Sequence, residues 1–170
     1  LLGQAEQNLL GTPEVMDAQI ARMLNDEKSE AMIDNFAGQW LLLRDVWNVD
    51  PDYTLYPNFD EDLRTAMYEE SHAFFNYLLT ENQSLLDIIE ADYAFLNERL
   101  VEHYDMAGFT NVIGNALQYI ELVPETNRFG YLTQASWLAV TSHRTRTSPV
   151  KRGKWVMEQL LCSPPPPPPP

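Results

Sequence analysis

The chemistry-bearing residues of this chain gather most densely at Thr141-Ser142-His143-Arg144-Thr145-Arg146-Thr147-Ser148, followed by Lys151 and Arg152. Hydroxyls and cations just ahead of a helix start suit a carboxylate, sulfate or phosphate, so Arg144, Arg146, Ser148, Lys151 and Arg152 are the candidate anion- or substrate-binding set. The competing reading is internal. In so acidic a chain the same cations can pair with its own carboxylates, and Ser148 can simply cap a helix. Ser142 and His143 are sequence neighbours, which makes no nucleophile and base pair, so a catalytic triad has no support.

Three weaker constellations follow. Asn97, Glu98 and Arg99 read as a buried polar network, with Glu98 expected to pair with Arg99 or Arg146 and the trio fixing two elements together. Asp50, Asp52, Thr54, Tyr56, Asn58 and Glu61 match the ligand positions of an EF-hand loop, but Leu55 stands where its sharp turn needs glycine, and Pro51 and Pro57 restrict the backbone. A calcium site of another geometry on Asp50, Asp52, Asn58 and Glu61 is the reading left, against a proline-rich connector. Glu69-x-x-His72 is half of a di-iron bundle motif, whose second half is missing because Glu98 and His103 have the wrong spacing. Among the aromatics, Trp40 and Trp137 sit at core spacing, whereas Trp47 and Tyr56 are better placed for contact. Cys162 reads as a buried or incidental thiol.

The elements that must position these residues are mostly helical. Thr12-Pro13 starts a helix over 13–24. A second begins at Ser29, with Met32, Ile33, Phe36, Trp40 and Leu43 on one face. After an ordered loop over 48–59, Asp60 caps a third helix whose inner side is Leu63, Met67, Phe74 and Leu78, with Arg64, Glu69, Glu70 and Asn76 outside. A short helix runs from Ser84 to Ile89, and Tyr93 to Tyr104 reads as another. Val112-Ile113 and Tyr119 to Val123 suggest a β-hairpin. Leu132 to Val140 and Ser148-Pro149 to Leu161 are helical again, and Pro164 to Pro170 impose a polyproline II rod.

Composition narrows the function classes. The net charge of −14 is uneven: residues 1–143 hold 24 acidic and 6 basic side chains, and residues 144–170 hold 1 acidic and 5 basic. An acidic body repels phosphate backbones and anionic lipid, which argues against nucleic-acid binding. No apolar run reaches the roughly 18 residues of a membrane span. A single cysteine forms neither an internal disulfide nor the two-thiol haem attachment. With Leu1 in place of an initiator methionine, the chain reads as an internal piece of something longer.

Ala91-Asp92-Tyr93-Ala94-Phe95-Leu96-Asn97-Glu98-Arg99-Leu100, Gly130-Tyr131-Leu132-Thr133-Gln134-Ala135-Ser136, and Thr145 to Trp155 ahead of the prolines carry a resemblance. They resemble a tandem pair of domains of unknown function from large planctomycete-type and myxobacterial secreted proteins that often carry a c-type cytochrome module. The first domain is resembled from about Met23 to Tyr104, the second from about Gly108 to Pro170. The resemblance implies an extracytoplasmic setting and electron-transfer neighbours, with haem c elsewhere in the parent protein and no cofactor in this segment. It carries no catalytic residues over.

The expectation is therefore a mainly α, bundle-like fold: two packed helical subdomains (1–107 and 108–163), one short β-hairpin and a polyproline linker (164–170). The leading functional reading is a non-catalytic scaffold or interaction module of a cytochrome-c-associated exported protein, its partners being other domains of the parent chain. The alternative is a contribution to the substrate cleft of a periplasmic haem-dependent oxidoreductase.

Overall fold

A computed structural model describes residues 1–166. Pro167 to Pro170 of the expected polyproline rod lie outside the described residues, and Pro164 to Pro166 belong to no helix or strand. The fold is mainly helical with one two-stranded antiparallel sheet. No helix among the described residues is long and apolar enough to cross a membrane.

Helix α1 (Leu2–Glu6) precedes α2 (Pro13–Leu24), which starts where expected because proline brings a helix-ready φ to the first turn. Residues 27–40 form an interrupted helical rod: a 3₁₀ turn at Glu27–Ser29, α3 (Glu30–Met32), a π turn at Ile33–Ala37 and α4 (Gly38–Trp40). The wide turn changes which residues face inward. Ile33, Ala37 and Leu41 are buried, while Met32 and Phe36, expected on the inner face, are exposed. A 3₁₀ turn at Leu43–Asn48 follows.

The organising element is α5 (Glu61–Thr80). Asp60 caps it as expected, its Oδ1 accepting from the Leu63 N–H at 2.8 Å. That hydrogen bond holds the Asp60 carboxyl below the usual range. Leu63, Met67, Phe74 and Leu78 are buried as expected, but so are Arg64 and Glu70, whose charge predicts the outer face. Spacing explains Glu70: it lies three residues after Met67 and four before Phe74, on the inner stripe itself. Arg64 is buried because its Nη1 donates to the carbonyls of Val46 and Val49, each at 2.7 Å, tying the 43–49 segment to α5.

After α6 (Asp87–Glu90) the expected helix over 93–104 divides. Tyr93–Leu96 is strand β1, Asn97 caps, and only α7 (Glu98–His103) is helical. The partner strand β2 (Gln118–Glu121) is where strand character is expected, but it pairs with β1 rather than with 112–113, in the register Tyr93↔Glu121 to Leu96↔Gln118. Alternate residues of β1 enter two hydrophobic clusters. Tyr93 joins Phe74, Phe75, Leu78, Tyr131, Trp137 and Trp155, with Phe95 packed against them; Ala94 and Leu96 join Leu63, Met67, Leu100, Met106 and Ile120. A strand buried on both faces is apolar throughout and shows no alternation, which is why it resembles a helix in sequence. Both clusters draw residues from either side of position 108.

Helices α8 (Ala135–Val140) and α9 (Pro149–Trp155) close the fold, and α9 continues into a π turn at Val156–Leu160. The 3₁₀ turn Tyr131–Thr133 docks on α6 through Gly130, which has φ +52° and donates its N–H to the Ala91 carbonyl at 3.0 Å. A Cβ on Gly130 would stand 2.6 Å from the carbonyl oxygens of Asp87 and Ile88. Gly130→Ala combines a left-handed backbone with a backbone clash and should destabilise the protein by about 3 kcal/mol. Urea denaturation checks this; a variant as stable as the parent would mean that the turn repacks freely.

Candidate functional site

A cleft of about 800 Å³ opens between the 45–51 segment, the middle of α5, the end of α7, and the α8 to α9 region. Its lining includes apolar side chains, Tyr56, Phe59, Met67 and Leu138 among them. It also includes Arg128, Arg144, Lys151 and Arg152, together with His103. Two carboxylates, Asp45 and Asp50, also line it. The fold thus concentrates cations in one place on an acidic chain.

Three of the five expected anion ligands, Arg144, Lys151 and Arg152, line this cleft. The other two do not. Arg146 closes a tight turn, its carbonyl accepting from the His143 N–H at 2.9 Å, and its side chain is exposed. Ser148 is occupied as a cap, its Oγ accepting from the Lys151 N–H at 3.2 Å. The Ser148 cap already satisfies one of the free N–H groups at the start of the seven-residue α9.

The cations differ in how far they are neutralised. Arg144 pairs with Asp50 at 3.3 Å, and its carbonyl accepts from the Asp52 N–H at 2.9 Å, so the 48–59 loop is fastened to the 142–147 turn. Lys151 donates to the Ser142 carbonyl at 2.9 Å. Arg128 donates to the Thr133 carbonyl at 2.7 Å, its guanidinium lying 3.3 Å from the centre of the Tyr104 ring. Arg152 lies over Trp137 at 5.7 Å, and its buried Nε has no hydrogen-bond partner among the described residues. Arg128, Lys151 and Arg152 have no carboxylate within ion-pair distance among the described residues.

Beneath Tyr104 lies a buried polar layer that no local sequence signal announces. The Tyr104 hydroxyl donates to Glu70 and accepts from the Ala135 N–H at 2.8 Å. Ser71, the next residue of α5, donates to Gln134 Oε1 at 2.6 Å and shares a hydrogen bond with Ser136. Glu70 is 1% exposed, and burial pushes its carboxyl up from 4.5 to about 8, against the opposing pulls of the Tyr104 hydrogen bond and the Arg128 charge. Burial and the neighbouring Glu70 raise Tyr104 well above its ordinary value. His103 is lowered by desolvation, then by the charges of Arg128 and Arg99.

The remaining candidates stay apart from the cleft or divide among local tasks. Asn97 Oδ1 accepts from the Leu100 N–H at 3.0 Å, and Glu98 accepts from the Gly114 N–H at 2.8 Å. Arg99 holds the Asn58 carbonyl, Asp60 and Glu102. Asn97 caps α7, while Glu98 and Arg99 fasten two segments to it, the 114 turn and residues 58–60, and the expected pairing of Glu98 with Arg99 or Arg146 does not occur. The calcium set is likewise divided. Asp50 pairs with Arg144, Asp52 accepts from both Thr54 donors, which hold its carboxyl low, Asn58 serves Arg99, and Glu61 pairs with Arg64 at 3.1 Å. Among the described residues no three His, Cys, Asp or Glu side chains are placed to hold a metal ion. His72 instead meets Asp34 at 3.2 Å. Trp137 and Trp155 are core residues; Tyr56 lines the cleft, whereas Trp47 packs against Tyr68, the rings tilted at 42° with centres 5.2 Å apart. Cys162 is exposed.

Residues 1–106 match the family described as PSD4, protein of unknown function (DUF1592). The chain belongs to that family. Residues 128–170 match a second family, PSCyt3, protein of unknown function (DUF1588), so the tandem of uncharacterised domains is present. No curated protein and no solved structure gives a match. The DUF1592 segment supplies the α5 and α7 walls of the cleft, and the DUF1588 segment supplies all four of its lysine and arginine side chains.

The buried carboxyl of the DUF1592 segment has a measurable consequence. Because the folded pKa of Glu70 is raised, folding is favoured by protonation; this contribution is complete below pH 4.5 and is lost as pH rises through about 8. Glu70→Gln keeps an acceptor for Tyr104 but removes the titration. Melting temperatures between pH 5 and 9 should fall in the parent by roughly 5 °C more than in the variant. Parallel profiles would show that Glu70 is ionised throughout.

Proposed function

We propose that this chain is a ligand-binding module of a larger exported, cytochrome-c-associated protein, and that its cleft takes a small anionic ligand or substrate. One observation carries the reading: three cations with no carboxylate partner among the described residues line one cleft in a chain of net charge −14. Acidic groups are abundant enough to neutralise them, so leaving them unpaired together favours a negative group from outside. Apolar walls with a few convergent polar groups are the usual make-up of a small-molecule site. The cytochrome setting is supported by the family name PSCyt3 and by the resemblance of the sequence to segments of extracytoplasmic proteins.

A scaffold role is the second reading. It is favoured by the way Asn97 caps α7 while Glu98 and Arg99 hold the 114 turn and residues 58–60 against it. The two readings are compatible in one module, since the trio lies outside the cleft.

Thermal melts at constant ionic strength test the anion reading. Replacing chloride by acetate, sulfate or phosphate should raise the melting temperature by several degrees if an anion binds only the folded state. The double variant Lys151→Gln/Arg152→Gln should lose most of that gain. An equal gain in parent and variant would mean a general salt effect and would remove the support for the cleft.

A further inference from the structure

We infer that the cleft is built for an organic monocarboxylate with a flat apolar or aromatic body. The inference rests on the anion reading above and names the ligand class.

Cationic and apolar side chains line one space. Inorganic phosphate or sulfate would satisfy Lys151 and Arg152 but leave Tyr56, Phe59 and Leu138 in contact with water. An uncharged apolar molecule would cover those residues and strip water from cations that have no carboxylate partner among the described residues, which is unfavourable. A molecule with one carboxylate and an apolar body satisfies both kinds of lining. A cleft of about 800 Å³ is within the range of pockets that enclose drug-sized molecules.

Geometry also limits the charge and shape. Arg128 is held by its stack on Tyr104 and by the Thr133 carbonyl, and Arg152 by its place over Trp137. Guanidinium groups oriented in this way suit the planar fork of a carboxylate. Asp45 on the same cleft, which has no cationic partner among the described residues, opposes a second negative charge, so a dianion gains less than a monoanion. Behind Tyr104, Glu70 is fully buried and hydrogen-bonded, so it presents no carboxylate to the ligand.

Calorimetric titration of the purified protein with 2-naphthoate, 2-naphthamide, acetate and inorganic phosphate tests the inference. Naphthoate should bind at least about tenfold tighter than any of the other three, since ring burial and charge pairing each contribute. Lys151→Gln should weaken naphthoate and acetate alike. Tyr56→Ser, at an exposed loop position, should weaken naphthoate and leave acetate unchanged. Phosphate or acetate binding as tightly as naphthoate would overturn the organic-anion class while leaving the anion reading intact. Naphthamide matching naphthoate, or no binding by any of the four at millimolar concentration, would overturn both.

Discussion

A polar layer across the middle of α5 is the constraint on which the rest of this structure depends. The helix has an apolar half before Glu70-Ser71 and another after it, and each feeds a different hydrophobic cluster. Between them, Glu70 and Ser71 are joined to Tyr104, Gln134, Ser136 and the Ala135 N–H. Hydrophobic contact alone is indifferent to small slides of one helix over another, whereas buried donors and acceptors tolerate few registers. The layer fixes where α8 lies along α5, and α8 is a wall of the cleft. Fold and cleft are therefore set by the same few hydrogen bonds.

Electrostatics has a similar economy. The side chains Glu70, Tyr104 and His103, all shifted from their ordinary titration, cluster behind or beside the cleft, and Arg128 contributes to all three shifts. Its guanidinium covers the Tyr104 ring and is held by the Thr133 carbonyl, so one residue joins the buried layer to the open space. Arg144 does the corresponding work at the outer end, where Asp50 and the Asp52 N–H bring the aromatic loop against the basic turn.

Local signals are legible wherever the chain announces itself in one or two residues. Thr12-Pro13, Asp60 and Ser148-Pro149 mark helix starts that the fold realises, and the cations Arg144, Lys151 and Arg152, close in sequence, line one cleft. Whatever depends on distant partners is not legible. Tyr93 to Leu96 is apolar at every position because clusters lie on both of its faces, a fact held by residues 63–155 and not by the four themselves. The charge of Glu70 predicts the outside although its spacing puts it inside, and spacing is the better guide. Tyr104, at the apolar end of an expected helix, and Arg128, in a stretch with no motif, carry no local sign of their meeting. Arg146 and Ser148 belong to the right segment, but a tight turn and a cap occupy them.

Strand β2 lies at Gln118–Glu121, in the interval between the residues matched by the two families. That interval is therefore no free tether. It supplies the only strand paired with β1 among the described residues, and Ile120 within it belongs to a core cluster. In evolutionary terms, the two domains are poor candidates for separate shuffling. A recombination breakpoint between them would leave one product with an unpaired, doubly apolar strand and the other with a partner strand lacking its template. The constraint falls on particular positions of the connector: Val112 and Ile120, buried in a core cluster, and Gln118–Glu121, paired with β1.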